Sequence, residues 1–358
     1  MYKKEKMPSR SKPTICIITL FRSLNFGAFL QAYALKRILE ERNVYPVFMD
    51  VYGFRQSFKR LLVLFKPKDI TVSGLVFAYK KWKTFSVSQR QNLSIESYDK
   101  ACAGFFSGSD EIWNVSNSSF VSVPAFFGNR LSSTSKVFSY APSCGNSDIE
   151  KLLVDKDVLE GMAKFDKISV RDENTYQFAV RARPDVEVVK VLDPTFLYDF
   201  SLDEEAVELP DRYCVVYSYK MSAERTNEIR RYAKRNGLIL VSPGFHNSWC
   251  DQVTPCSPFQ FLTLVKNAHS IITDTYHGAI FAIKYKKNFI AYYEGKEKVR
   301  DLLKDLGLEA SGYTLGMLDK HEDIETDYSV FNFLVRSKVD SSKRFLDDCI
   351  SMIDKYRA

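Results

Sequence analysis

The stretch Ser270-Ile-Ile-Thr-Asp-Thr-Tyr-His-Gly-Ala-Ile-Phe-Ala-Ile-Lys284 opens as a short apolar strand and breaks at Thr273-Asp274-Thr275. It resumes at Gly278 with apolar residues spaced for a helix, at Ile280, Phe281 and Ile283. A strand that passes through a polar turn into a helix aims backbone N–H groups and short side chains at one spot. In open α/β sheets that spot, at the carboxyl end of a strand, is where ligands sit. His277 falls at the helix start, where it can face a ligand while the helix terminus favours a bound anion. Two plainer roles compete: Asp274 or Thr275 as a helix cap, and His277 as a satisfied core histidine. A set of similar polar strand ends elsewhere in the chain weighs against them.

Outward from this stretch the same rhythm repeats. A strand at Tyr213–Tyr219, a helix at Ala223–Asn236, a strand at Leu238–Ser242 and a helix at Pro258–Ala268 lead into it. A strand at Phe289–Tyr292 and a helix at Glu297–Leu306 follow. Near the start, Thr14–Thr19, a helix over Ala28–Glu41 and Val44–Asp50 make a β-α-β unit. Further strands are expected at Gly104–Ser107, Lys136–Tyr140, Lys167–Val170 and Val188–Leu192. Strands alternating with helices predict an α/β fold with a parallel sheet in each half. The expected assembly is two Rossmann-like lobes facing a cleft. A basic tail covers residues 1–13, the N-terminal lobe 14–200 with a basic insertion at 51–100, and the C-terminal lobe 211–325. The acidic run Ser201–Pro210 is the expected linker. Residues 326–358, with a helix over Ser341–Tyr356, are expected to pack back on the first lobe.

Composition narrows the class. With 45% hydrophobic and 27% charged residues, the 358-residue chain reads as globular and is comfortable as two domains. Seven scattered cysteines form no Cys-x-x-Cys pair and four histidines are dispersed, so no zinc site is legible. A reduced, cytoplasmic setting is expected. Charge is uneven. Residues 1–90 carry 18 Lys/Arg against 5 Asp/Glu, a surplus of 13, and since the whole chain totals +7 the remainder carries −6. That asymmetry suggests an anionic partner. No basic helix with interleaved base-stacking aromatics stands out, so a membrane surface or a lipid diphosphate fits at least as well as nucleic acid. Within the insertion, Gly53–Lys68 sets Arg55, Lys59, Arg60, Lys66 and Lys68 around Phe58, Leu61, Leu62, Leu64 and Phe65, a pattern shared by interfacial helices and by solvated helices packed on a domain. No apolar run approaches the ~20 residues that spanning a bilayer requires.

Each strand end carries polar chemistry. Asn25 and Gly27 follow the first strand; Gly27 lets backbone approach a ligand, and Asn25 serves equally as a cap. This is neither a dinucleotide fingerprint nor a P-loop. Ser109, Asp110 and Glu111 follow the third strand, where one carboxylate is expected to act and the other to cap or pair. Arg171 ends a later strand and suits a carboxylate or phosphate, with a surface salt bridge to Asp172 or Glu173 as the alternative. Asp193 organises a crossover. His246 follows a second-lobe strand and either reaches the cleft or is an idle loop histidine.

Taken in order, Asn25-Phe-Gly-Ala-Phe-Leu-Gln-Ala-Tyr-Ala-Leu35, Gly108-Ser-Asp-Glu-Ile-Trp-Asn114, Ser169-Val-Arg-Asp-Glu173, Leu192-Asp-Pro-Thr195 and Thr273-Asp-Thr-Tyr-His-Gly278 resemble the polysaccharide pyruvyl transferase family. Arg300-Asp-Leu-Leu303 fits its late motif. The resemblance runs from about Ile15 to about Gly307 and is weakest over 51–100. It implies a fold like the two-lobed GT-B glycosyltransferases and transfer of a pyruvate unit from phosphoenolpyruvate to a sugar of a bacterial surface polysaccharide precursor, leaving a ketal. It maps the donor-site histidine, as general acid, to His277 and a donor-anion contact to Arg171, with Thr275, Gly278 and Arg300 around the donor. Some members carry arginine where this chain has Thr275, so the missing charge is expected from Arg300, Lys284 or Lys296.

The chemistry suits these residues independently. Phosphoenolpyruvate brings a phosphate and a carboxylate, so its site needs cations and helix termini. A histidine can protonate the methylene carbon, and a carboxylate such as Asp110 can accept the sugar hydroxyl proton. Asn25, Gly27, Ser109, Glu111 and His246 are left to the acceptor or the cleft wall. No metal and no cofactor beyond the co-substrate is required. The acceptor is expected to be lipid-linked or free, with peripheral contact at the inner membrane face in the first case and no nucleic acid in either. A nucleotide-sugar glycosyltransferase of the same fold and a non-catalytic glycan-binding subunit are the rival readings.

Overall fold

The computed structural model describes residues 12–51, 71–96, 102–116, 123–132 and 134–355. The basic segment Gly53–Lys68 therefore lies outside the described residues. Two parallel sheets organise the chain. The first has the order β3-β2-β1-β4-β5, from β1 (Thr14–Ile18), β2 (Tyr45–Met49), β3 (Ile95–Glu96), β4 (Gly104–Ser107) and β5 (Lys136–Ser139). A parallel bridge between Phe138 and Lys167 carries it on to β6 (Ile168–Val170), which pairs with β7 (Val188–Lys190). The second has the order β10-β9-β8-β11-β12-β13, from β8 (Tyr213–Tyr217), β9 (Ile239–Pro243), β10 (Gln252–Thr254), β11 (Ser270–Thr273), β12 (Asn288–Tyr292) and β13 (Gly312–Tyr313). Runs such as Ile15–Ile18 and Tyr213–Tyr217 are buried throughout, because helices cover both faces of a parallel sheet. The short strands β3, β10 and β13 escape the sequence pattern.

Strand order fixes where a ligand can sit. In the first sheet the order reverses at β1, which pairs with β2 on one side and β4 on the other. In the second it reverses at β8, between β9 and β11. At such a switch point the connections leave in opposite directions, opening a crevice beyond the strand ends. The crevice of the first lobe is framed by the segments after β1 and β4, and that of the second by those after β8 and β11.

The helix Phe26–Glu40 begins two residues earlier than the apolar spacing predicts, because the Asn25 side chain accepts from Ala28 N–H and fixes the start. Twelve of its fifteen residues are buried, not one inner face alone. The second lobe supplies the reason. Phe26 stacks on Phe261 at 4.5 Å between centroids and Phe29 meets Phe259 edge-on at 5.7 Å. A helix held between two lobes is apolar nearly all round. The helix Val72–Asn92 joins the same seam: Phe85 stacks on Phe26, and Thr84 donates to the Cys256 carbonyl.

Chain crossings tie the lobes further. Residues 201–210 are irregular but anchored, through Asp203 to Tyr33 and Glu204 to Lys266. The last helix starts at Ser329, well before the expected Ser341, where Val330 and Leu334 lie against Gly307 of the second lobe, and its later turns run to Lys355 along the first lobe. There the Ser342 hydroxyl accepts from Leu192 N–H, Asp347 pairs with Arg42, and Asp348 pairs with Lys167. Cys16 and Cys102, 86 residues apart, face each other on neighbouring segments with Cα atoms 6.0 Å apart, a contact that spacing did not foretell. Among the described residues no helix is long and apolar enough to cross a membrane.

Candidate functional site

Both crevices open on one buried cluster. At the end of β11, Thr275 occupies the N-cap of the helix Tyr276–Lys284, its hydroxyl accepting from Gly278 N–H at 3.0 Å. The same hydroxyl meets that of Thr273 at 3.0 Å, and Thr273 donates to the Tyr217 carbonyl. Of the two proposed caps, Thr275 takes the role and Asp274 does not. A Cβ on Gly278 would overlap the Thr273 and Thr275 hydroxyls, so this glycine serves the turn.

His277 is therefore aimed across the seam into the first lobe. It is buried, and a Cβ on Gly27 would overlap its ring, so the absence of a side chain there makes room for the imidazole. Its Nε2 lies 3.6 Å from Asp193 Oδ2 and has no hydrogen-bond partner. That distance permits an ion pair but is too long for a good hydrogen bond. The histidine is thus buried without being satisfied, unlike an ordinary core histidine.

Asp193 is the hub that sequence reading reduced to a crossover. Its carboxylate caps Pro194–Leu197 through Thr195 N–H and the Thr195 hydroxyl, receives Arg171 Nη1 at 3.0 Å, and faces His277. Burial alone would raise its pKa. The His277 side chain facing it, the Arg171 charge and the Thr195 N–H outweigh that and hold it well below the usual carboxylate range. The signal was the Asp-Pro pair at a strand end.

Arg171 is neither a free clamp nor a surface pair with Asp172 or Glu173. It is buried, with Nη1 on Asp193, Nη2 3.4 Å from Asp110 Oδ1, and its guanidinium carbon 4.5 Å from the centroid of the Tyr276 ring. Only Nε lacks a partner. Asp172 instead caps the helix Glu173–Ala182, accepting from the N–H and hydroxyl of Thr175.

The turn after β4 delivers the remaining carboxylates. Gly108 has φ +129°, and a side chain there would strike the Tyr140 carbonyl. Asp110 follows at φ +78°, a conformation costly for a non-glycine residue and found where a side chain must be aimed. Its Oδ1 accepts from Glu111 N–H and faces Arg171. Ser109 is fully buried, its hydroxyl donating to the Ala141 carbonyl at 3.1 Å and lying 3.4 Å from Asp193. Glu111 pairs with Lys298, and enclosure pushes the Lys298 ammonium down in pKa. Asp110 and Glu111 thus divide their tasks, one turned to the arginine and one to the lysine.

Other expected positions are more dispersed. Asn25 donates to the Tyr219 hydroxyl while capping its helix, linking the ends of β1 and β8. His246 packs on Phe77 at 5.4 Å between centroids, a seam contact. Arg300 is exposed and paired with Glu297 on its own helix. Lys284 lies at the far end of its helix over the Phe200 ring, where burial lowers its pKa to about 8. Lys296 instead forms no ion pair among the described residues and acts electrostatically on Asp274. Asp274, buried with one oxygen unpartnered, is raised in pKa by desolvation, against the pull of Ser218, Lys296 and Arg225. Lys298 and Tyr276 also line a pocket with Arg171, Asp193 and Asp301, and a second pocket of about 280 Å³, lined by Asn174, shares Lys298 and Asp301 with it. Sequence reading missed Lys298, Tyr276 and Tyr219, because nothing local distinguishes them. Among the described residues no group of three His, Cys, Asp or Glu side chains is placed to hold a metal ion.

A family model described as Polysaccharide pyruvyl transferase matches residues 25–295, well over half of the chain. No curated protein matches in sequence. Among solved structures, a UDP-GlcNAc 2-epimerase from Methanocaldococcus jannaschii aligns at TM-score 0.48 and 12% identity, over 90% of this chain and 98% of its own. The glycosyltransferase SnogD from Streptomyces nogalater aligns at TM-score 0.48 and 11% identity, over 96% and 100%.

Proposed function

We propose, from the premise that this chain belongs to the polysaccharide pyruvyl transferase family, that it moves a pyruvate unit from phosphoenolpyruvate onto a sugar of a bacterial surface polysaccharide precursor. The observation that carries this reading is the His277 imidazole, buried at a two-lobe seam with Nε2 unpartnered beside Asp193 and Arg171. A proton donor held out of water, with Asp193 at ion-pair distance and no closer hydrogen-bond acceptor, suits protonation of a carbon, which water would otherwise outcompete.

In this reading His277 gives a proton to the methylene carbon of phosphoenolpyruvate, leaving a cation-like centre at the carbon that bears the phosphate oxygen. A sugar hydroxyl attacks that centre and yields its proton to Asp110. Phosphate then departs, and a second hydroxyl of the same sugar closes the ketal, its proton returning to the imidazole of His277. The donor's anionic groups meet Arg171 through its free Nε, and Lys296 supplies the charge that Thr275 lacks. Since Nε2 is enclosed, the lobes part to admit substrate.

The test is incubation with phosphoenolpyruvate and a panel of synthetic and lipid-linked glycosides, read by phosphate release and by product mass. Pyruvate ketal formation is expected, lowered about 10²–10⁴-fold in His277→Ala. Turnover near normal in a folded His277→Ala protein would return the histidine to a structural role. Nucleotide release from a sugar nucleotide, with no phosphate from phosphoenolpyruvate, would replace the reading by glycosyl transfer.

A further inference from the structure

The helix Val72–Asn92 has two faces with different tasks. Gly74, Phe77, Phe85 and Ser88 are buried, and Lys81 leans on Phe85 and Phe245, so one face is locked into the seam between the lobes. The opposite face begins with an apolar stripe in water: Val72 is 80% exposed, Leu75 45%, Val76 47% and Tyr79 53%. Spacings of three and four residues place these side chains on one line. Lys80 and Lys83, both exposed, flank it, and Trp82 packs beside Tyr79 at 6.1 Å between centroids.

Four side chains spread over about 10 Å of helix are too little for a stable contact between copies, which needs about 800 Å² per partner. They are enough for shallow insertion among lipid tails, with cations at headgroup level and aromatic rings at the boundary. The charged residues of this helix, Lys80, Lys81, Lys83 and Arg90, all have one sign, so the matching surface is anionic. We propose that the outer face of Val72–Lys83 is a docking surface for an anionic lipid bilayer. Because the inner face spans both lobes, docking there holds the seam at a fixed orientation to the membrane. The inference does not rest on the proposed reaction.

The test is sedimentation of the full-length protein with vesicles of equal phosphatidylglycerol and phosphatidylcholine, and with phosphatidylcholine alone. Binding to the anionic vesicles is expected, weakening at high salt. Leu75→Ser/Val76→Ser/Tyr79→Ser should lower it at least ten-fold, and Lys80→Gln/Lys83→Gln roughly five-fold per cation removed. All five positions are exposed or half-exposed, so thermal melting should be unchanged. Wild type remaining in the supernatant with either vesicle overturns the proposal. So does a loss confined to a variant neutralised at Arg55, Lys59, Arg60, Lys66 and Lys68, which would move the docking to that segment. A dimer in analytical ultracentrifugation that the triple variant dissociates would assign the stripe to a second copy instead.

Discussion

At the scale of single residues, the cluster is built by pairing groups that are costly apart. Arg171 links two buried carboxylates, and replacing it by lysine keeps the charge but not the planar fork. Arg171→Lys should lower stability by roughly 1–3 kcal/mol, since one carboxylate loses its partner in a desolvated site. Chemical denaturation measures this, and donor affinity should weaken in the same variant. An unchanged midpoint would mean that solvent already reaches the pair. Gly27 permits a second test. Its missing Cβ is the space the His277 ring fills, so Gly27→Ala should displace the imidazole and cost transfer about as much as losing it. Combined with His277→Ala, it should add little further loss of turnover. If the losses instead multiplied, Gly27 would act on the substrate and not through the histidine.

At the scale of elements, the helix Val72–Asn92 couples the insertion to the seam. Lys81 sits in that seam among aromatic rings, and burial lowers its pKa from 10.5 to about 8. Between those values the unfolded chain holds the proton and the folded chain does not, so this residue makes stability rise as pH goes from 8 to 10.5. Below pH 8 its cost is fully present. Lys81→Met should therefore stabilise the protein at pH 7 by on the order of 1–3 kcal/mol and flatten that rise relative to wild type. Parallel pH–stability curves for the two proteins would place the ammonium in water. Element boundaries moved from their expected positions for identifiable reasons. The Asn25 cap starts the first helix at Phe26, and the last helix gains three turns because Phe331 is buried and Val330 and Leu334 lie against Gly307 of the second lobe. Helical spacing registers an apolar face, and the amphipathic start at Ser329 leaves Phe333 exposed, which blurs it.

At the scale of the whole molecule, one hydrophobic cluster runs through both sheets' helices, from Phe26 and Phe29 to Phe259, Phe261 and Phe281. The lobes should therefore unfold in a single calorimetric transition, and Phe26→Ala, losing a fully buried ring at the seam, should cost about 3–5 kcal/mol. Two resolved transitions in the wild type would show that the seam contributes little to cohesion. The amino-acid sequence by itself determined the alternation of strands and helices, the polar strand ends, and the motifs that mark the family. These are local properties: apolar periodicity follows from which side of an element is buried, and turn chemistry from which backbone conformations a residue tolerates. Only the tertiary structure decided which strand ends face each other. It made Asp193 a hub, set Thr275 to capping, turned Arg171 inward to two carboxylates, and put Lys298 in the pocket while leaving Arg300 in water. Such assignments depend on strand order and on contacts between residues more than a hundred positions apart in some cases, and no spacing along a chain encodes a contact that exists only once two sheets have packed.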